Sequence, residues 1–193
     1  MEQNTIKENY FIMGGHLAND LCHGSLPAIL AYMYQQGRLT SYQEVAFLVM
    51  ANTLVNAVVQ PLAGYLADHK ARPYLMPMGM IMSALGIMFT GICTDFLSIL
   101  LLVTFNGIGL AIFHPAAEKK GRGMSIFSVG GNIGFALGPI YFTLAYILLG
   151  LQATLLLCLP ALAMLIIFIK KYPLYQKISL EDERRVRKAK SVS

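Results

Sequence analysis

The stretch from residue 123 to residue 169, GMSIFSVGGNIGFALGPIYFTLAYILLGLQATLLLCLPALAMLIIFI, decides the class of this protein. It contains no Asp, Glu, Lys or Arg. A transmembrane helix needs about 20 mostly apolar residues. The stretch is therefore long enough for two crossings, and Gly150 and Gln152 mark the predicted turn between them.

Four further apolar runs precede this stretch, and each is long enough for one crossing. They cover residues 10–37, 45–67, 73–94 and 96–117. Asp20 is the one charged residue in these four runs. The sequence therefore predicts an all-α membrane protein, a six-transmembrane-helix bundle. The predicted helices cover residues 10–36, 42–66, 73–94, 96–117, 123–148 and 152–170.

Two polar segments flank the predicted bundle, which occupies residues 10–170. Residues 1–9 lack the basic region and cleavage site of a secretory signal and are interpreted as a cytoplasmic N-terminal segment. Residues 171–193 are predicted to form a basic cytoplasmic tail. Within this tail, SLEDERRVRKAK from Ser179 predicts a short surface helix near anionic lipid, with an ordinary solvated linker as the alternative.

The composition excludes several classes of protein. Hydrophobic residues make up 56% of the chain and charged residues 13%, about half the charge of a soluble domain. The net charge of +5 lies in short clusters between apolar runs, so no nucleic-acid partner is predicted. The three cysteines have no ligand spacing, and no nucleotide or catalytic motif is present. No cofactor, metal or enzyme activity is therefore predicted.

The basic residues predict the orientation. Basic residues occur at Lys7, in the segments after predicted helices 2 and 4, and in the tail. The segments between these, on the opposite side of the predicted bundle, contain only one basic residue, Arg38. Because positively charged loops stay in the cytoplasm, both termini are predicted to be cytoplasmic. An even number of crossings agrees with this arrangement.

The first predicted helix carries the most informative polar residues. His16, Asn19, Asp20 and His23 fall within one 100° arc at about 100° per residue. Asp20 is the only carboxylate in the middle of a predicted span, and an ionised Asp there costs roughly 2.5–3.5 kcal/mol. It escapes this cost by facing water or a cation, or by holding a proton. Asp20, His23, His16 and, less directly, His114 are therefore candidates for proton coupling, with a structural helix–helix hydrogen bond as the alternative.

Three more predicted helices carry polar stripes, whereas the third and sixth carry almost none. We expect helices 1, 2, 4 and 5 to surround a wet centre and helices 3 and 6 to lie outside it. His114 is expected near the inner mouth, too far along its helix to be a sure partner of Asp20. The alternative for the stripes is hydrogen bonding across helix interfaces. The candidate substrate-path residues are Asn19, Asn52, Asn56, Gln60, Asn106, Ser128 and Asn132.

Two acids outside the spans have simpler interpretations, and helix 5 has a packing motif. Ser41 to Glu44 fits a capping box at the start of helix 2, and Asp95 fits an N-cap for helix 4. Small residues at i, i+4 and i+8 favour close helix contact, and a following proline favours a bend. The helix-packing residues are Gly130, Gly134, Gly138 and Pro139.

Three sets of motifs resemble the major facilitator superfamily. GYLADHKAR at 64–72 is similar to its loop motif at Gly64, Asp68 and Arg72, which would form a gating loop. GFALGP at 134–139 resembles its antiporter motif. HLANDLCHG at 16–24, GIGLAIFHP at 107–115 and SIFSVGGNIGFALGP at 125–139 resemble fosmidomycin-resistance-type efflux transporters.

This resemblance implies a proton-coupled exporter of small polar drugs or metabolites in a bacterial inner membrane, an antiporter in contact with lipid, substrate and protons. It also implies that residues 171–193 are the start of a linker between two halves. Transporters of this kind have twelve helices in two halves, and the chain resembles the N-terminal half. It also departs from the family by a short segment after Pro115. The chain could pair with a second six-helix half or with itself, or be a truncated fragment or structural subunit without transport activity. A six-helix intramembrane enzyme is a further alternative.

Overall fold

The computed structural model of the protein describes residues 2–69, 73–117, 122–173, 176 and 180. Within these ranges the chain forms six α-helices and two short 3₁₀ segments, with no strand. The 3₁₀ segments, Thr90–Ile92 and Gly150–Leu157, follow the third and fifth α-helices. The α-helices are α1 Glu2–Gln35, α2 Tyr42–His69, α3 Leu75–Met88, α4 Phe96–Ala117, α5 Arg122–Leu149 and α6 Cys158–Lys170.

These bounds differ from the sequence expectation mainly at the ends of the helices. α1 begins at Glu2, so the backbone of residues 2–9 continues the first helix. α6 has only 13 residues, because Gly150–Leu157 before it is 3₁₀. The predicted turn at Gly150 fits the backbone, because Gly150 has a φ of +58° and no side chain to oppose this left-handed conformation. The tail helix predicted from Ser179 lies outside the described residues apart from Leu180.

Among the residues that the structure describes, four segments are long and apolar enough to cross a membrane. They are Tyr42–Ala67, Leu75–Ile92, Phe96–Ala117 and Met124–Lys170, the last of which contains both α5 and α6. α1 is absent from this group because its polar side chains lower its mean hydropathy. In the described structure these side chains face inward, since His16, Asn19 and Asp20 are all buried. Neighbouring helices therefore cover the polar face of α1.

α1 and α5 form the closest helix pair. Added Cβ atoms on one face of α5 would overlap carbonyl oxygens of α1, so the glycines there allow the two backbones to touch. Both series of contacts ascend along the chain, so α1 and α5 run parallel. The Ser25 hydroxyl contributes a hydrogen bond across this seam to the Gly138 carbonyl oxygen, at 2.8 Å. The contacting pairs are Met13 with Gly130, Leu17 with Gly134, and Leu21 with Gly138.

α4 packs between α2 and α3. Gly79 of α3 lies against the α4 backbone at Phe113, and Gly86 lies against it at Asn106. Higher residue numbers on α3 thus meet lower numbers on α4, so these two helices are antiparallel. Asn52 and Gly64 of α2 meet ascending positions on α4, so α2 and α4 are parallel. Alternating helix directions, α1 with α5 and α2 with α4, are those of a chain that crosses a membrane back and forth.

The starts of two helices, α2 and α4, carry the capping residues that the sequence predicts. The Glu44 carboxylate accepts hydrogen bonds from the Thr40 backbone N–H and hydroxyl, and the Glu44 N–H donates to the Ser41 hydroxyl at 3.3 Å. The Asp95 carboxylate accepts a 2.8 Å hydrogen bond from the Ser98 N–H at the start of α4. These contacts satisfy N–H groups that the first turn of a helix leaves free.

Arg38 has a structural role that the sequence did not indicate. Its guanidinium donates hydrogen bonds to the carbonyl oxygens of Gly91 and Cys93, at 2.7 and 2.9 Å. These carbonyls end the α3 segment, where the helix dipole and the free acceptors favour a cation. Arg38 thus joins the loop between α1 and α2 to the end of α3.

Candidate functional site

The side chain of Asp20 lies in the interior between α1 and α4. Only 12% of it is exposed. On its own helix, His16 Nε2 lies 3.0 Å from Asp20 Oδ2, one turn away. The Asn19 amide donates a hydrogen bond of 3.3 Å to Asp20 Oδ1. The Asp20 carboxylate is therefore held in place by His16 and Asn19 of its own helix, neither of which carries a fixed positive charge.

His16 is fixed in position by α5. Its Nδ1 lies 2.8 Å from the Phe127 carbonyl oxygen, and because a carbonyl can only accept, Nδ1 carries the hydrogen. The imidazole ring also stacks on the Phe127 ring, with centroids 3.8 Å apart. Nε2 is thereby turned toward Asp20. In the neutral tautomer that carries its hydrogen on Nδ1, this atom holds a lone pair.

His114 completes the cluster from a different helix. Its Nε2 lies 3.8 Å from Asp20 Oδ1, and its ring centroid is 5.0 Å from that of His16. The sequence placed His114 too far along α4 to be a sure partner of Asp20, and the structure corrects that expectation. α4 packs parallel to α2 and antiparallel to α3. In this packing, His114 of α4 lies at the same level as His16 and Asp20 of α1. His114 is also the most exposed member, at 23% of its side chain.

His23, the fourth predicted proton-coupling residue, lies apart from this cluster. Its ring packs against Phe135 of α5, with centroids 5.5 Å apart. Its Nδ1 is buried and has no hydrogen-bond partner among the described residues. The structure thus brings three of the four predicted residues together and leaves His23 one turn beyond them.

A second polar cluster joins α2, α3 and α4. The Asn52 amide donates to the Val103 carbonyl and to Asn106 Oδ1, both at 2.8 Å. The Asn106 amide donates to the Ser83 carbonyl and hydroxyl, at 2.9 and 3.0 Å. All three polar residues are at most 1% exposed. Asn52 and Asn106 were expected along a substrate path, and the structure instead bonds them to each other across a closed helix interface.

Of the other predicted path residues, Asn19 is buried at 1% exposure beside Asp20, and the remaining four are more accessible. Gln60 and Asn132 are exposed, and Asn56 and Ser128 are half-buried. Asn56 also carries a buried Oδ1 without a hydrogen-bond partner within the described ranges. These four residues lie on α2 and α5, which flank the cluster around Asp20. They retain the exposure that a path for a polar substrate needs.

The predicted gating-loop motif is only partly within the described structure. Gly64 lies on α2, where an added Cβ would be 3.7 Å from Pro115 of α4. The Asp68 backbone is helical, and its side chain and the whole of Arg72 lie outside what the structure describes. Pro139 lies inside α5, which continues to Leu149. The turn from α4 to α5, which the sequence marks as short, contains residues 118–121 and is also outside the described part.

Gly131 shapes the site, although the sequence indicated no role for it. An added Cβ on Gly131 would overlap the His16 ring, so this position leaves the space that the ring fills. The Gly130–Gly131 doublet was the available signal. Gly130 faces the α1 backbone, and its neighbour faces the His16 side chain.

Comparison with known proteins agrees with this architecture. A family profile described as Major Facilitator Superfamily matches residues 12–191. The chain belongs to the Major Facilitator Superfamily. It is therefore an integral membrane protein of a transporter family, as its apolar helices indicate.

Three bacterial relatives illustrate the place of the chain in the superfamily. It is 34% identical over 144 residues to the uncharacterized MFS-type transporter YfnC of Bacillus subtilis (strain 168), covering 70% of this chain and 35% of that protein. It is 29% identical over 134 residues to the Fosmidomycin resistance protein of Escherichia coli (strain K12), covering 65% and 33%. It is 23% identical over 137 residues to the uncharacterized MFS-type transporter YwoD of Bacillus subtilis (strain 168), covering 66% and 30%. The chain thus spans about a third of the length of these relatives.

Proposed function

We propose that this superfamily member forms the N-terminal half of a proton-coupled exporter of small polar drugs or metabolites. The observation that carries the proposal is the buried Asp20 carboxylate between His16 of α1 and His114 of α4. A carboxylate in the middle of a span is costly unless it is paired or protonated. Two neighbouring imidazoles give it a partner for either state.

The accessibility of the cluster supports a proton route. The exposed fraction of the side chain rises from 9% at His16 to 12% at Asp20 and 23% at His114. A proton can therefore enter along His114 and reach Asp20, while His16 is held by Phe127. The aromatic ring and the α5 backbone close the opposite side of the cluster.

Export of a small polar molecule follows from the relatives and from the accessible polar residues. The Escherichia coli relative is named for fosmidomycin resistance, which supports drug efflux by this chain. Asn56, Gln60, Ser128 and Asn132 would contact the substrate, because α2 and α5 leave them accessible. The function is thus an antiport in which a proton enters as the substrate leaves.

A second six-helix half would complete the path. Only 11% of the residues in the most apolar stretch of α2 are buried, and α5 exposes a row of large apolar side chains that includes Ile140, Leu144 and Ile147. A partner half or a second copy would cover part of these faces and leave the rest to lipid. The length of the relatives supports a second half of similar size.

The test is drug efflux driven by an imposed pH gradient, with the chain joined to its second half in vesicles. We expect Asp20→Asn to abolish gradient-driven export and to preserve membrane insertion, because asparagine has the same shape and is less costly in lipid than a carboxylate. Asp95→Asn is the matched control, since it makes the same exchange at an exposed helix cap. Gradient-driven efflux at the wild-type rate in Asp20→Asn would return Asp20 to a structural role.

A further inference from the structure

The cluster around Asp20 has the donor atoms of a metal site. His16, Asp20 and His114 each offer one ligand atom, and these atoms all lie within 4.8 Å of one another. The sequence indicates these residues only as candidates for proton coupling and not as metal ligands, because two of them come from α1 and the third comes from a helix more than 90 residues further along. Only the packing of α4 against α1 assembles it.

The hydrogen bonding of His16 is that of a metal ligand. Nδ1 donates to the Phe127 carbonyl oxygen, and an outer hydrogen bond of this kind usually fixes the ring of a metal-bound histidine. Nε2, which points to the centre of the cluster, is buried and has no hydrogen-bond partner among the described residues. Its contact with Asp20 at 3.0 Å therefore lacks hydrogen-bond geometry. A buried lone pair without a donor is costly, and a cation would satisfy it.

Asp20 and His114 add the remaining ligands. The Asn19 amide donates to Asp20 Oδ1, which orients the carboxylate as an outer partner does in other metal sites. His114 Nε2 approaches the same carboxylate at 3.8 Å. Two ligand atoms each about 2.0–2.1 Å from a tetrahedral ion lie roughly 3.3 Å apart. The imidazole contacts here are 3.0 Å to Oδ2 and 3.8 Å to Oδ1 of Asp20, and the three ligand atoms lie within 4.8 Å of one another, so a bound ion would draw the ligands together.

We propose that His16, Asp20 and His114 form a binding site for a divalent transition-metal ion, with Zn²⁺ as the ion that fits best. Two imidazoles and one carboxylate are a known three-ligand set for zinc, which leaves one coordination position open. Mg²⁺ and Ca²⁺ prefer oxygen ligands and fit poorly. The bound ion would join α1 to α4. This inference does not depend on the proposed transport function.

Direct metal binding to the purified chain tests the site. The full chain is extracted in mild detergent with an affinity tag free of histidine, treated with a chelator and titrated with Co²⁺, whose visible absorption reports coordination by imidazole. Zn²⁺ is then added as a competitor. We expect one Co²⁺ per chain, displaced by Zn²⁺. A wild-type chain that binds no Co²⁺ and no Zn²⁺ would overturn the proposal, whatever its transport activity.

Single substitutions identify the ligands. Asp20→Asn and His114→Ala should each weaken binding by more than the roughly 10–100-fold that loss of an outer partner costs. His23→Ala is the matched control, because His23 lies on the same helix and outside the cluster. Unchanged affinity in Asp20→Asn or His114→Ala, or an equal loss in His23→Ala, would contradict the assignment.

Thermal unfolding gives a second measurement that does not depend on absorption. A ligand that binds the folded chain alone raises its Tm, and here the ion would link two helices. We expect Zn²⁺ to raise the Tm of the wild-type chain and of His23→Ala, and to leave that of His114→Ala unchanged. An equal rise in His114→Ala would show binding elsewhere and would overturn the proposal.

Discussion

At the scale of single residues, the site depends on Gly131, which has no side chain, as much as on the side chains of the cluster. Gly131 leaves the space for the His16 ring, and the ring in turn directs Nε2 toward Asp20. Phe127 holds the same ring by a stack and a backbone hydrogen bond. The position of His16 is therefore determined by α5, although the residue belongs to α1.

Gly131→Ala should impair export by moving His16. The added methyl group overlaps the ring, and strain from such overpacking is typically about 1–3 kcal/mol. We expect the ring to tilt away from Asp20, so that gradient-driven efflux falls while the chain still inserts into the membrane. Efflux by reconstituted protein, normalised to the amount inserted, is the measurement.

Gly14→Ala is the matched control for this substitution. A Cβ at Gly14 would lie 3.5 Å from the flexible Met164 side chain, an ordinary contact. Its efflux should stay close to that of the wild type. If Gly131→Ala transports as well as Gly14→Ala, the position of the His16 ring is not critical.

Asn106 is expected to act through stability rather than through the substrate. Asn106→Ala removes hydrogen bonds to Ser83 and from Asn52 and leaves a buried Asn52 amide with one acceptor fewer. Loss of a buried partner costs about 1–3 kcal/mol. We expect a lower Tm in detergent and an unchanged KM for export in the molecules that remain folded.

Asn132→Ala should show the opposite pattern, because Asn132 is exposed on α5. Its Tm should stay near the wild-type value, and the KM for export should rise. A raised KM in Asn106→Ala together with an unchanged Tm would restore Asn106 to the substrate path.

At the scale of elements, α4 depends on Asp95 for its first turn. Hydrogen bonds from the Ser98 hydroxyl and the Ser98 backbone N–H hold the pKa of Asp95 below its usual value. A lowered pKa in the folded chain means that the ionised cap stabilises the fold above the pKa of the unfolded chain, which is about 4. This stabilisation is lost as the pH falls through the lower pKa of the folded chain.

Asp95→Ala should therefore lower the Tm at neutral pH, and the difference from the wild type should shrink below about pH 4. Asp95→Asn retains a side-chain acceptor for the N-cap, so its Tm at neutral pH should lie between the two. Thermal unfolding in detergent across this pH range is the measurement. A difference in Tm that is constant with pH would contradict the role of the ionised cap.

The elements were more predictable from the sequence than their contacts. Charge-free runs and capping residues such as Ser41 and Glu44 are local signals that locate the helices, although α1 begins eight residues before its predicted start and α6 begins six residues after its predicted start. The pairing of Asp20 with His114 depends on how far α4 slides along α1, which no local pattern encodes. For the same reason Asn52 and Asn106 could not be distinguished from path residues, since a polar stripe looks the same whether it faces water or another helix.

At the scale of the whole molecule, the helix directions constrain the topology. α1 runs parallel to α5 and α2 runs parallel to α4, so the loops alternate between two sides of the bundle. The basic residues concentrate on one of these sides. The loops at 67–73 and 117–122 should therefore be cytoplasmic, and the turn at Gly37 should face outward.

Cysteine labelling checks this orientation in whole cells. In a background in which Cys22, Cys93 and Cys158 are replaced, single cysteines at 67–73 or 117–122 should react only with membrane-permeant reagents. Gly37→Cys should react with impermeant reagents as well. A variant that keeps Cys93 as its single cysteine is a further control, because the Arg38 guanidinium donates a hydrogen bond to its carbonyl oxygen and Cys93 therefore lies on the same side as Gly37. Labelling of the 117–122 loop by an impermeant reagent would contradict the topology.

The contact between α1 and α5 also affects biosynthesis, because the ribosome makes the two helices at different times. Ser25 and Gly138, which share a hydrogen bond, are 113 residues apart. At about 5–20 residues per second, the ribosome takes about 6 to 23 s to make the second partner after the first. During that interval the polar face of α1 has no α5 to cover it, and its low mean hydropathy gives it little hold on lipid. The first helix to emerge thus completes its insertion among the last, which makes the nascent chain dependent on the insertion machinery until α5 arrives.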